Sequence, residues 1–141
     1  MVYNYVMTSA DGLLGGEKIA ALFSQLNQPA RIQILAVIQK QPACVCHLVA
    51  ALGLRQAAIS QHLMALREAG WVTTRRNGRF IYYHLKEKRL LPLIETAAGI
   101  AGIPHGEIDA ISHRPLENCP CPQCHPELAP ELSCKSPPTQ V

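Results

Sequence analysis

The chain has 141 residues, 48% of them hydrophobic, and a net charge of only +3, which fits one globular domain and excludes a disordered one. No apolar run is long enough to span a bilayer, and the opening MVYNYVMTSADG lacks the charged and apolar stretches of an export signal. A soluble, cytoplasmic protein with no membrane partner is expected.

Residues 1–16 carry Gly12, Gly15 and Gly16 without a steady apolar period and read as a loose arm. From Glu17, Ile19, Ala20, Leu22, Phe23 and Leu26 recur at helical spacing. Pro29 suits the first turn of a second helix, where its missing N–H costs nothing, and Ile32, Ile34, Leu35 and Ile38 fill that helix to near Pro42. A short third helix is predicted from about Cys44 to Leu52, stopped by Gly53. Gln56 to Ala69 form a fourth, with Ile59, Leu63 and Leu66 inward and Gly70 closing it. The period then changes. Trp71–Arg76 and Arg79–Leu85 alternate on either side of Asn77-Gly78, the strongest short hairpin signal. Lys86 to about Ala101 returns to helix, bounded by Pro104. From Pro115 onward seven prolines and four cysteines share 27 residues, which reads as a tail and not a packed element. The expected plan is an arm (1–16), a body (17–103) and a Pro/Cys-rich tail (104–141).

Short helix, glycine turn, longer helix and basic hairpin, in that order, make a winged helix-turn-helix, mostly α with a β-hairpin wing (α+β). Between Arg55 and Arg89 eight Lys/Arg face two acids, a local +6 that can neutralise phosphates. The longer helix would lie in the major groove of double-stranded DNA, with Arg55, Gln56, Ser60 and Gln61 at base edges or phosphates. His62, on the next turn, either touches a phosphate or packs. Arg75, Arg76 and Arg79 flank the wing tip and would reach the backbone or the minor groove. A solvated basic surface is the bland alternative. No nucleophile–base pair, phosphate loop or cofactor fingerprint is present, so no enzyme is expected.

Asn27-Gln-Pro-Ala-Arg-Ile-Gln-Ile-Leu35, Cys44-Val-Cys46, Ile59-Ser-Gln-His-Leu63, Leu66-Arg-Glu-Ala-Gly70 and Arg79-Phe-Ile-Tyr-Tyr-His-Leu85 occur in order, and the stretch 17–100 that holds them resembles the ArsR/SmtB family. The resemblance implies a metal-responsive repressor, a homodimer that holds operator DNA without inducer and releases it when metal binds. A dimer also suits the apolar residues of the first and last helices, which exceed what one small core needs.

Six cysteines in such a chain suggest metal or redox chemistry ahead of a disulfide framework. Residues at i and i+2 of a continuous helix point about 200° apart, so Cys44 and Cys46 can share a ligand only at a first turn, where the backbone is still partly extended. A helix start also favours the thiolate. The resemblance places inducer ligands here. His47 stands where the family commonly has Asp, and Val49 where arsenic sensors carry a third cysteine. Cys119, Cys121 and Cys124, with His125 adjacent and Cys134 further on, are the available donors. They could complete the Cys44/Cys46 site, form a separate site for Zn(II) or another soft ion, or collect metals adventitiously. Glu87 and Glu95 without histidines do not make the paired site of the zinc-sensing branch, and His105, Glu107, Asp109 and His113 read as solvated.

The expected function is therefore a repressor sensing As(III)/Sb(III) first and Cd(II)/Pb(II)/Hg(II) behind. The alternatives are a thiol redox or persulfide switch on the same fold and a zinc-stabilised interaction module without inducer.

Overall fold

The structure, a computed structural model, describes residues 13–128. Helix α1 spans Leu13–Leu26, α2 Pro29–Val37, α3 Val45–Leu52 and α4 Gln56–Glu68; strands β1 (Val72–Asn77) and β2 (Phe80–Leu85) follow, then α5 (Leu90–Ile100) and the short α6 (Glu107–Ala110). This is the expected winged helix-turn-helix.

Residues 1–12 of the expected arm lie outside the described residues. Its last four, 13–16, are helical, so α1 starts a turn earlier than its apolar period suggests. Pro29 occupies the first turn of α2 as expected, and Gly53 ends α3 in the left-handed conformation at φ 65°. That glycine is the turn of the helix-turn-helix. Ile34, Leu35, Leu48, Ile59, Leu63 and Leu66 are all but fully buried and knit α2, α3 and α4 into one core, which Val72, Leu85, Leu90 and Ile94 extend.

The hairpin departs from expectation by one residue. Asn77 pairs with Phe80, so the two-residue loop is Gly78-Arg79, with Gly78 at φ 61°. A glycine at the first loop position is what a type II′ turn favours, whereas an Asn-Gly loop needs positive φ at both positions. The shift puts Arg79 at the tip, its guanidinium 5.3 Å from the Phe80 ring centre. Helix α5 also begins later than its composition suggests. The Lys86 and Glu87 amides both donate to the Trp71 carbonyl, at 2.8 and 3.2 Å, and the Glu87 carboxylate accepts from the Arg89 amide at 3.1 Å. Residues 86–89 are thus spent on a turn.

Two further features position the site. Just before α3, Ala43 pairs antiparallel with Tyr83: its amide donates to the Tyr83 carbonyl at 3.2 Å and its carbonyl accepts from the Tyr83 amide at 2.8 Å. The entry to α3 is therefore stitched to the wing. The second feature corrects the reading of the tail as unpacked over its described part, residues 104–128. Ile108 and Ile111 pack on the main core. Arg114 donates to the Pro42 carbonyl at 2.7 Å, to the Gln41 carbonyl at 2.9 Å and to the Gln123 side chain. Beyond it Leu116, Cys119, Cys121 and Cys124 join Cys44, Phe80 and Tyr82 in a second, smaller core. Proline-rich composition keeps this stretch from forming long elements, but its thiols bury well against the outer face of β2.

Candidate DNA-reading face and thiol centre

Arg55, Gln56 and Gln61 are exposed along α4, and Ser60 is half-buried between them and the core side. Arg55 is the N-cap residue in extended conformation, so its side chain and those of Gln56, Ser60 and Gln61 occupy the first turn and a half. His62 is turned inward. Its Nδ1 accepts a 3.4 Å hydrogen bond from Arg31 Nε of α2, and partial burial followed by the Arg31 charge pulls its pKa below the ordinary value. Arg75, Arg76 and Arg79 are all exposed on the wing, with Arg76 Nε donating to the Gly78 carbonyl at 3.3 Å. The exposed start of α4 and the arginine tip stand on successive elements of one scaffold.

The second constellation lies behind the wing. Cys44 is the N-cap of α3, with extended backbone (φ -82°, ψ 165°), and it is buried. One turn on, His47 is 1% exposed and points the same way. From the other side Cys119 and Cys121, both 0% exposed, and Cys124 arrive on a turn in which the Cys124 amide donates to the Cys121 carbonyl at 3.1 Å. The donor atoms of His47, Cys119, Cys121 and Cys124 all lie within 4.8 Å of one another. His47 Nδ1 is 3.3 Å from the Cys124 sulfur and 3.9 Å from that of Cys121.

Hydrogen bonds from the Cys119 and then the Cys44 thiol draw Cys121 toward the thiolate. The same bonds, with burial next, push Cys44 and Cys119 up. Burial raises Cys124 as well.

The structure thus brings Cys44 and the three tail cysteines together. Cys46 is half-buried, packs beside this small core, is not one of the four-donor group and has a partner of its own. Cys134 lies outside the described residues. His125 turns away from the sulfurs: one ring nitrogen meets Glu127 at 2.9 Å and the other lies 3.2 Å from the Leu116 carbonyl. His47 was not among the expected ligands. Its signal was present in Cys44-Val-Cys-His47, where the residue three places after an N-cap shares that residue's side of the first turn.

The donor set fits a soft ion. Tetrahedral thiolate ligation at about 2.3 Å sets neighbouring donors roughly 3.8 Å apart, close to the separations here. Buried thiols with so few other partners are otherwise costly to ionise.

The family model described as bacterial regulatory protein, arsR family, matches residues 28–74, from the start of α2 into β1. A transcriptional repressor SmtB homolog of Synechocystis sp. is 34% identical over 82 residues, covering 58% of this chain and 62% of that protein, so the chain spans less than two thirds of its length. Nodulation protein NolR of Rhizobium meliloti is 34% identical over 100 residues, covering 71% of this chain and 80% of that protein. In three dimensions NolR from Sinorhizobium fredii matches with a TM-score of 0.60 at 30% identity, covering 71% of this chain and 100% of its own. The helix order and wing agree with these relatives, and the chain belongs to the ArsR family of bacterial regulatory proteins.

Proposed function

We propose that the chain is a transcriptional repressor that works in the cytoplasm as a homodimer on double-stranded operator DNA and releases it when a thiophilic ion binds. The observation that carries this reading is the meeting of the tail sulfurs with Cys44 at the start of α3, the helix packed against α4. An ion drawing those sulfurs together acts on the element that supports the reading helix. Release requires that the ion bind the DNA-free arrangement more tightly, since equal affinity for both arrangements shifts nothing. Arg55, Gln56, Ser60 and Gln61 would read or position the major groove, and Arg75, Arg76 and Arg79 would hold phosphates or the minor groove. Ile19 and Phe23 of α1 and Ile100 of α5 are 57%, 49% and 85% exposed, and a second copy would cover them. The inducer belongs to the class As(III)/Sb(III) or Cd(II)/Pb(II)/Hg(II), with Zn(II) a further occupant of the tail cysteines. The family is one of DNA-binding regulators, not enzymes.

One observation favours a second reading, a zinc-stabilised module without inducer: the donor group is buried and closed, as structural sites are. A redox switch made between Cys44 and Cys46 is disfavoured, because at i and i+2 they are strained disulfide partners.

Fluorescence anisotropy of a labelled duplex taken from upstream of the chain's own gene tests the proposal. Reduced, metal-free protein is expected to bind, and As(III), Cd(II) or Zn(II) to weaken it more than about tenfold, a coupling of roughly 1.4 kcal/mol. Unchanged affinity with all three would favour the structural reading. In the same assay, replacing Arg75, Arg76 and Arg79 together by Ala is expected to weaken binding to every DNA sequence. The log–log salt slope should become shallower by about 0.9 for each phosphate no longer neutralised. An unaltered slope would take the wing off the interface.

A further inference from the structure

We propose that His47, Cys119, Cys121 and Cys124 form a three-sulfur, one-nitrogen site within one subunit, suited to a tetrahedral divalent ion of the Zn(II)/Cd(II) class and not to trivalent arsenic or antimony. This rests on the reading of the thiol cluster as an ion site and narrows it to one ligand set and one class of ion.

Three observations lead there. The first is the placement of His47. Its side chain is among the most buried in the chain, and its Nε2 has no hydrogen-bond partner among the described residues. The neighbours that hold an imidazole this deep in the chain are therefore those of its other nitrogen, Nδ1. This ring turns Nδ1 into a ring of sulfurs, 3.3 Å from Cys124 and 3.9 Å from Cys121. These are the separations of donors sharing one centre at bond lengths of about 2.0 and 2.3 Å.

The second observation is the ligand count. As(III) carries a lone pair and closes its shell with three sulfurs in a pyramid. Cys119, Cys121 and Cys124 would satisfy it and leave the imidazole nitrogen facing the ion with no bond to make. A d10 divalent ion takes four ligands, accepts imidazole beside thiolate, and uses every donor of the group. Cys44 then falls outside the coordination shell. It packs beside the group in the same small core, placed to orient a ligand sulfur from outside the shell.

The third is charge. Arg114 is half-buried beside the cluster, donating to the side chain of Gln123, the neighbour of Cys124. Among the described residues, its guanidinium donates to neutral oxygens: the Pro42 and Gln41 carbonyls and the Gln123 amide. Its Nε has no partner among the described residues. A divalent ion with three thiolates and a neutral imidazole carries one net negative charge, which the guanidinium offsets. Arsenic(III) with three thiolates is neutral and would leave the arginine without a counter-charge.

Optical titration of the reduced, metal-free full chain with Co(II), a spectroscopic stand-in for Zn(II), tests the assignment. The wild type is expected to give the visible d–d bands of a tetrahedral centre and sulfur-to-cobalt absorbance of three thiolates. His47→Ala should weaken Zn(II) binding, measured by chelator competition, by at least about a hundredfold. His47→Cys should restore tight binding and raise the sulfur-to-cobalt absorbance by about one third, as four thiolates replace three. This rescue separates loss of a ligand from loss of the fold. Cys44→Ser should leave the absorbance per cobalt unchanged.

If Cys44→Ser removes a thiolate's share of that absorbance and His47→Ala does not change the spectrum, Cys44 is the fourth ligand and the assignment is wrong. If As(III) binds stoichiometrically to wild type and His47→Ala alike while Co(II) and Zn(II) do not bind, the ion class is wrong and the thiophilic-ion reading stands. Tight Co(II) binding with the expected spectra, but no effect of Zn(II) or Cd(II) on DNA affinity, supports the site and overturns the sensing proposal.

Discussion

Cys121→Ser is expected to abolish the response of DNA binding to added ion while leaving the affinity of the metal-free protein for DNA within about twofold. Cys121 is fully buried in the thiol cluster, its sulfur 3.9 Å from His47 Nδ1. Serine keeps nearly the same volume, but its hydroxyl is a hard donor and a poor ligand for a soft ion. Cys121 is not on the exposed faces of α4 or the wing tip, so the DNA contacts should survive. Anisotropy titrations of the variant with Zn(II), Cd(II) and As(III), run beside wild type, provide the check. Cys46→Ser is the companion variant, because Cys46 lies outside the four-donor group and should retain the response. A Cys121→Ser protein still released by micromolar ion would move sensing to another part of the chain.

Ile59→Ala is expected to remove about 2–5 kcal/mol of stability, which is a large share of what a domain of this size has. Ile59 is completely buried on the inward side of α4, where it shares a core with Ile34, Leu35 and Leu48. Truncation deletes its packing against α2 and α3 and leaves a cavity that helices braced on two sides cannot close. Urea unfolding followed by circular dichroism, at one protein concentration for both proteins, measures it. A loss below about 1 kcal/mol would mean that α4 can settle inward, and the rigid platform assumed for base reading would not exist. Met64, on the same helix but 53% exposed, is the control, and Met64→Ala should change stability by about 0.5 kcal/mol or less.

The parts of this fold that can be read from the residues are those fixed by local chemistry. Pro29 and Gly53 punctuate helices wherever they stand, and the switch from a period of 3.6 to a period of 2 at Trp71 marks the wing without any tertiary information. The loop register differs by one because Asn77 finds a cross-strand partner in Phe80, which a dipeptide preference cannot foresee. Helix α6, at four residues, is too short to show a period. The larger departure is the stretch 104–128. Its order comes from residues about 70 positions away, such as Arg114 on the Pro42 and Gln41 carbonyls, and composition carries no trace of those pairings. The tail cysteines stand out as candidate ligands by their spacing. His47 is harder to read, because a histidine replacing the usual Asp of a family motif does not by itself mark a fourth donor one helical turn along.

The approach of Cys121 and Cys124 to His47 joins positions 74 and 77 residues apart. Everything proposed to touch DNA, from Arg55 to Arg79, lies inside that interval. An ion held at both ends would turn the interval into a closed ring. In the chain-entropy treatment of cross-links, a ring of this size withdraws about 4.5 kcal/mol of freedom from the unfolded chain. The ion would then set how long the protein survives as well as whether it holds DNA. Molecules lacking the ion would open more often and reach proteases sooner, so the cellular supply of the ion would govern the turnover of its own sensor.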